Sequence, residues 1–335
     1  MKRYLLLILP ILCGLILFPQ AASSGAAEAL RLCGVSLIPA LFPFMILCKL
    51  TISLGLIPQG GRQSDRLLRR LFGVGGEVLT PLLLSFIGGY PVGVVAICEQ
   101  YKAGCLSKGS AERALRFCNN SGPAFFLGII GSQLFQDSHA GLLLYLIHVF
   151  AALLTGYLTA APAVPVTPAK HPEKAWISFG TAFLDAVSDS CSAILKICSL
   201  VITFRVLLRL IEATALFQLL PDGASTLLAG TLELTCGILA LQPSRASFLL
   251  AALFMGWGGL CVHMQAASLY RPQGLIPKKY YLSKLLHGIL SLLLAWICLS
   301  PSPLRLIVGT SSLLICCILS QIHKKWAGNP QQIAI

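Results

Sequence analysis

The 335-residue chain reads as an all-α polytopic membrane protein, with about eight transmembrane helices and two re-entrant helical hairpins arranged as an inverted repeat. Three observations predict this class. Hydrophobic residues make up 56% of the chain and charged residues 11%, with a mean hydropathy of +0.82, far too apolar for a soluble domain. The formal net charge of +13 is carried by basic residues in short loops between apolar runs, the pattern of cytoplasmic loops, and this excludes the clustered basic face of a nucleic-acid binder. Polar, glycine-rich stretches interrupt apolar segments at Gly88 to Gly93 and Cys118 to Pro123. Unpaired backbone in hydrocarbon costs several kcal/mol per group, so such breaks persist only where protein or a watery cavity covers them.

Each element follows in order. Residues 1–31 form an N-terminal helix and outer loop: Lys2-Arg3 precede the apolar run Tyr4 to Phe18, with a cleaved signal peptide as the alternative, and Ala26 to Arg31 lie outside. Residues 32–161 form a first unit. Its opening helix, Leu32 to Ile57, leads to an inside loop with Arg62, Arg66, Arg69 and Arg70. The apolar stretch 78–98 is basic on both flanks, which a single crossing cannot satisfy; a hairpin turning at Gly88 to Gly93 can, because glycine permits the turn and Pro91 stops the helix. A broken helix 117–135 then crosses outward and Gly141 to Ala161 returns.

Residues 162–190 provide a proline-rich linker and an interfacial helix, Trp176 to Ser190. A second unit, 191–299, repeats the order: a span at Cys191 to Ile211, a hairpin at 219–241 and a broken helix at 247–269 ending in a basic loop with Arg271, Lys278, Lys279 and Lys284. Residues 300–335 form a C-terminal helix and basic tail. The two units enter from opposite sides. Gly89 to Gly93 aligns with Glu233 to Gly237, Phe117 to Gly122 with Phe254 to Gly259, and Lys49 with Arg205. Inverted repeats with broken helices are the architecture of many secondary transporters, whose solute site lies near the midplane.

The candidate solute-binding residues are those of the breaks. Asn119, Asn120 and Ser121 carry donors and acceptors, and Gly122 precedes Pro123, where a new half-helix starts with free N–H groups suited to an anion. At the first hairpin tip stand Gly89, Tyr90 and Pro91; Tyr90 suits stacking on an aromatic solute, or anchoring of the turn. Glu233, with Thr235, is an ionisable group in an apolar run, expensive there and by default suspected of function. Gly258 and Gly259 break the second helix ahead of His263 and Gln265, which point to different helix faces. Lys49 and Arg205 are possible anion attractors or partners of Glu233, with snorkelling to an interface as the alternative.

The thirteen cysteines are scattered without Cys-x-x-Cys or zinc-ligand spacing and read as small buried hydrophobes. No metal or cofactor is expected. There is no Gly-x-Ser-x-Gly, no His-Glu-x-x-His and no nucleotide-binding loop, so the chain is not expected to be an enzyme or to be driven directly by ATP. Expected partners are a small-molecule solute and the bilayer, with a homo-oligomer or other membrane proteins possible and nucleic acid excluded.

Phe42-Pro43-Phe44, Gly89-Tyr90-Pro91-Val92-Gly93, Cys118 to Pro123 with Gly128, Glu233-x-Thr235-x-Gly237 and Gly258-Gly259 through His263-x-Gln265 together resemble the sporulation integral membrane protein family of the YlbJ, or SpoVV, type. The resemblance runs from about residue 30 to 300 and includes two segments similar to the nucleoside-recognition Gate domain, Ser36 to Ile57 and Ser192 to Ile211. It implies a spore-forming bacterium, a place in the mother-cell-derived outer forespore membrane, and movement of dipicolinic acid toward the forespore. The Gate similarity implies nucleosides instead. The second unit departs from the first in carrying Gly256-Trp257-Gly258 where the first has Asn119-Asn120-Ser121. A non-transporting role in assembling the spore membrane is the remaining alternative.

Overall fold

A computed structural model of the chain describes residues 2–56, 61–161, 178–214, 219 and 221–299, which are helical with no strand among them. The chain folds as an all-α polytopic membrane protein. Helix α1 (Lys2–Leu17) meets α2 at Phe18. Helix α2 runs 35 residues, Pro19–Ser53, through one wide turn at Cys33–Leu37. The outer loop expected before residue 32 is therefore helix: Pro19 is preset for a first helical position, and the alanine-rich run after it is a strong helix former.

Amphipathic α3 (Arg62–Phe72) stands where an inside loop was expected, burying Leu68 and Phe72 and turning its arginines outward. Gly73, at φ +69°, stops it, and the chain bends by 90° into the next helix. Arg69 donates to Asp65 Oδ2 at 2.8 Å, and this bond, with a second from the Gly76 N–H, holds the Asp65 carboxyl below its ordinary range.

Helices α4 (Leu79–Gly88) and α5 (Val92–Lys102) pack as a hairpin whose tip is Gly89-Tyr90-Pro91, with a cis bond before Pro91. A Cβ on Gly93 would lie 2.4 Å from that of Ser85, so glycine permits the two arms to touch. Residues Cys118 to Gly122 follow α6 (Lys108–Ala114) without regular structure, and α7 (Phe125–Phe135), a π-helix of 11 residues, follows them. The crossing expected over 117–135 is thus an irregular stretch and a half-length helix. Asp137 caps α8 (Ser138–Leu158), whose Leu142, Leu146 and Phe150 form an exposed apolar stripe suited to lipid.

Ser178 caps α9, which runs unbroken over Phe179–Glu212, so the separate interfacial helix expected over 176–190 does not form. A second hairpin, α10 (Asp222–Leu232) and α11 (Leu234–Leu239), turns at Glu233. Its arms touch at Gly230 and Gly237, where a Cβ would come within 2.2 Å of the facing Cα. Helices α12 (Arg245–Trp257) and α13 (Gly259–Tyr270) are parted by left-handed Gly258, and α14 (Tyr280–Leu299) packs along α12 and α8.

Among the described residues, four helical stretches are long and apolar enough to cross a membrane, or five if the bent pair over 62–88 is one span. Of the other expected crossings, the first and the one over 117–135 hold shorter apolar helices, and the last lies outside the described residues. The C-terminal helix and tail of 300–335 and most of the linker lie outside the described residues.

The two long helices, α2 and α9, pack antiparallel and are tied at both ends. Near one end, Glu28 on α2 bonds Arg205 and Arg209 on α9. Near the other, Lys49 on α2 bonds Asp189 on α9 at 2.9 Å and Glu99 on α5 at 2.9 Å. Glu28 and Lys49 stand about 32 Å apart along the axis, close to the thickness of a hydrocarbon core of about 30 Å. The pair is therefore long enough to set one cluster at each face of a bilayer, with its middle between them.

Candidate cavity between the hairpin tips

A cavity of about 250 Å³ lies beside the middle of α2 and α9. Ser36, Leu37 and Phe44 line it from α2, and Ile197 and Val201 from α9. Both hairpin tips reach it: Gly89 and Tyr90 from one side, Glu233, Leu234 and Thr235 from the other. Ser121, Gly122 and Gln265 complete the polar wall. The volume falls just below the range of about 300–1,000 Å³ usual for ligand cavities, and the lining is mostly apolar with a few convergent polar groups.

Close backbone approach holds each tip against a broken segment. A Cβ on Gly89 would lie 2.9 Å from Gly122 N, and one on Gly259 would lie 3.0 Å from Leu234 N. The tips cross over as well: Tyr90 donates from its hydroxyl to the carbonyl of Met255 at 2.6 Å, passing beside Gly258. Only glycine permits these approaches.

Glu233 is buried and spends its carboxylate on its own helix, accepting from Cys236 N at 2.7 Å and Thr235 N at 3.2 Å. It pairs with neither Arg205 nor Lys49. Arg205 instead donates from Nε to Glu28 at 2.8 Å and reaches the Cys236 sulfur. Lys49 lies in the far cluster, where Val92, Val95 and Ala96 of α5 pack against Ala193 and Ile197 of α9. A second cavity, of about 520 Å³, opens on the Glu28 side; it is lined by Arg31 and Arg205 and shares Ser36, Val201, Glu233 and Thr235 with the first. The small cleft at Lys49, Glu99 and Asp189 shares no residue with either.

Several expected contact residues stand behind the wall. Asn119 donates to the Tyr280 hydroxyl at 2.8 Å, and Asn120 donates to Phe117 O at 2.7 Å and Ser85 Oγ at 3.0 Å. Both are fully buried and neither lines the cavity. His263 lies among the rings of Trp257, Tyr280 and Tyr281, while Gln265, two residues on, faces the cavity, as opposite helix faces require. Pro91, Gly258 and Gly259 shape the tips without lining the space.

Lys284 was read as part of a basic loop. It lies instead inside α14, fully buried, donating to Asn119 O at 2.7 Å. His287 lies against it, and His148 lies against His287. The spacing of Lys284 and His287, three apart and so on one helix face within an apolar run, is the signal that marks them.

A membrane-embedded helical protein with paired hairpin tips meeting broken segments around an interior cavity is the class these features define. The chain is 26% identical over 312 residues to the sporulation integral membrane protein YlbJ of Bacillus subtilis (strain 168), covering 81% of this chain and 76% of that one. No family model matches the chain, and no solved structure matches it.

Proposed function

We propose that the protein is a transporter, not an enzyme, which moves a small organic anion, dipicolinate, across the mother-cell-derived outer forespore membrane during sporulation, using the cavity between the two hairpin tips. One observation carries the reading: each hairpin tip closes against the broken segment of its own unit, at aligned positions. Gly89 touches Gly122 in the first unit, and in the second the Glu233-Leu234 tip touches Gly259. Gly93 closes on Ser85 in the facing arm of the first hairpin, and Gly237 closes on Gly230 in the facing arm of the second. Lys49 and Arg205 each bond a carboxylate on the other long helix. These matches support an inverted repeat, and inverted repeats place solute sites where their hairpins meet.

Arg31 and Arg205 on the vestibule suit an anion's approach, and Tyr90 offers a flat ring to an aromatic one. Glu233 on the wall favours a second reading, since a carboxylate beside Gln265 suits the hydroxyls and base edge of a nucleoside better than a dianion. Proteoliposome uptake of dipicolinate and of uridine decides between them. Dipicolinate uptake above that of protein-free vesicles is expected. Uridine uptake alone selects the second reading, and uptake of neither would leave an assembly role.

A further inference from the structure

Behind the cavity lies a buried polar chain for which the site described so far has no use. Lys284 is fully enclosed, and among the described residues no carboxylate lies within ion-pair distance of it. Its ammonium meets the Asn119 carbonyl at 2.7 Å and His287 Nδ1 at 3.1 Å, and it stands 5.5 Å from the centroid of the Tyr90 ring. The titratable groups facing it from the surrounding elements are Cys118, Tyr90, His148, His263, Tyr280 and His287. None of them supplies a negative charge at neutral pH.

Hydrogen-bond partners fix the state of both linked histidines. His287 Nε2 lies 3.1 Å from the carbonyl of His148, which only accepts, so Nε2 carries the proton and Nδ1 is free to receive from Lys284. His148 Nε2 accepts from Ser121 N at 3.1 Å, so its proton is on Nδ1, a buried donor without a partner. These contacts run from Lys284 through His287 to the backbone carbonyl of His148, whose ring in turn meets Ser121 on the cavity wall, and the ammonium lies over the ring of Tyr90, which also lines the cavity.

A buried ammonium without a counter-ion costs several kcal/mol, and a neutral amine at the same position does not. The missing negative charge can come from a solute across Tyr90. We infer that Lys284, with His287 and His148 behind the hairpin tip, is a proton-carrying site whose occupancy is linked to that of the cavity, so that an anionic solute and a proton travel together. A carboxylate entering the cavity favours the ammonium form; its departure favours loss of the proton from Nζ. The linkage is reciprocal, so protonation of Lys284 raises affinity for the anion by the same factor. This inference rests on the transporter reading above and adds the coupling ion to it.

The test uses the full-length protein in liposomes with a pH-sensitive dye in the lumen. An inward dipicolinate gradient is expected to acidify the lumen of wild-type vesicles, beyond protein-free controls. Lys284→Arg, whose charge is permanent, is expected to keep exchanging labelled for unlabelled dipicolinate while losing the acidification. Dipicolinate flux without acidification in the wild type overturns the coupling and leaves transport standing, whereas absence of any flux overturns the transport reading and this one with it. Acidification by the Arg variant equal to the wild type overturns the assignment to Lys284. Should that variant fail to fold, Lys284→Met replaces it: loss of acidification is expected, and acidification retained overturns the assignment in the same way.

Discussion

Asn119 gives its backbone carbonyl to the ammonium of Lys284 at 2.7 Å, 165 residues away in the chain, and its side chain to Tyr280 on the same helix. The most polar part of the first broken segment is thereby turned away from the cavity and stitched to α14. Asn119→Ala and Asn120→Ala should each destabilise the protein by about 1–3 kcal/mol, because each strands a buried partner. Gln265→Ala, at the cavity wall, should leave stability nearly unchanged while altering solute uptake. Thermal unfolding in detergent, run beside uptake assays, checks the split; an Asn120→Ala protein of normal stability and impaired uptake would contradict it.

Gly237→Ala should prevent the second hairpin from closing, since the added methyl lies 2.2 Å from the backbone of Gly230. Gly34→Ala is the matched control: its Cβ meets nothing within 4 Å, and a helical alanine gains about 0.5–1 kcal/mol over glycine. Yield of monodisperse protein after size exclusion separates the two.

Glu233 serves both the helix it caps and the wall it lines. Glu233→Gln keeps one acceptor for the amides of Thr235 and Cys236 and should fold; Glu233→Ala loses the cap and about 1 kcal/mol or more. Both should change solute preference. If Glu233→Gln transports the same solutes at wild-type rates, the carboxylate belongs to the helix alone.

The cavity joins the vestibule at Ser36, on the side of Glu28 and Arg205, and shares no lining with the cleft at Lys49. In a background lacking the exposed cysteines, Ser36→Cys should react with a membrane-impermeant thiol reagent supplied from the Glu28 side and not from the Lys49 side. Equal labelling from both faces would contradict the one-sided opening.

Much of this architecture is legible in residue order. Gly89-Tyr90-Pro91 and Gly258-Gly259 stand at the turns and breaks because glycine and proline leave the backbone few alternatives there, and Glu233 stands at the second turn as the cap of the helix that follows. Which polar side chains would face the cavity was not legible: a broken segment exposes groups on all sides, and Asn119 and Asn120 found partners in Tyr280 and Ser85. Lys284 was not legible either, because a basic residue at the edge of an apolar run has the sequence signature of a loop. The loop expected at 19–31 and the interfacial segment at 176–190 were misplaced for one reason: Glu28, Arg31, Asp185 and Asp189 look like boundaries in sequence but lie within helices, and Glu28 and Asp189 answer cations on the opposite long helix.

That arrangement of charges selects one direction of packing. Each long helix carries an acid early and a base late, Glu28 before Lys49 and Asp189 before Arg205, so each is the complement of the other run backward. Turned parallel, the same two helices would set Glu28 against Asp189 and Lys49 against Arg205, like charge on like, so the ties that hold the antiparallel pair also repel the wrong pairing.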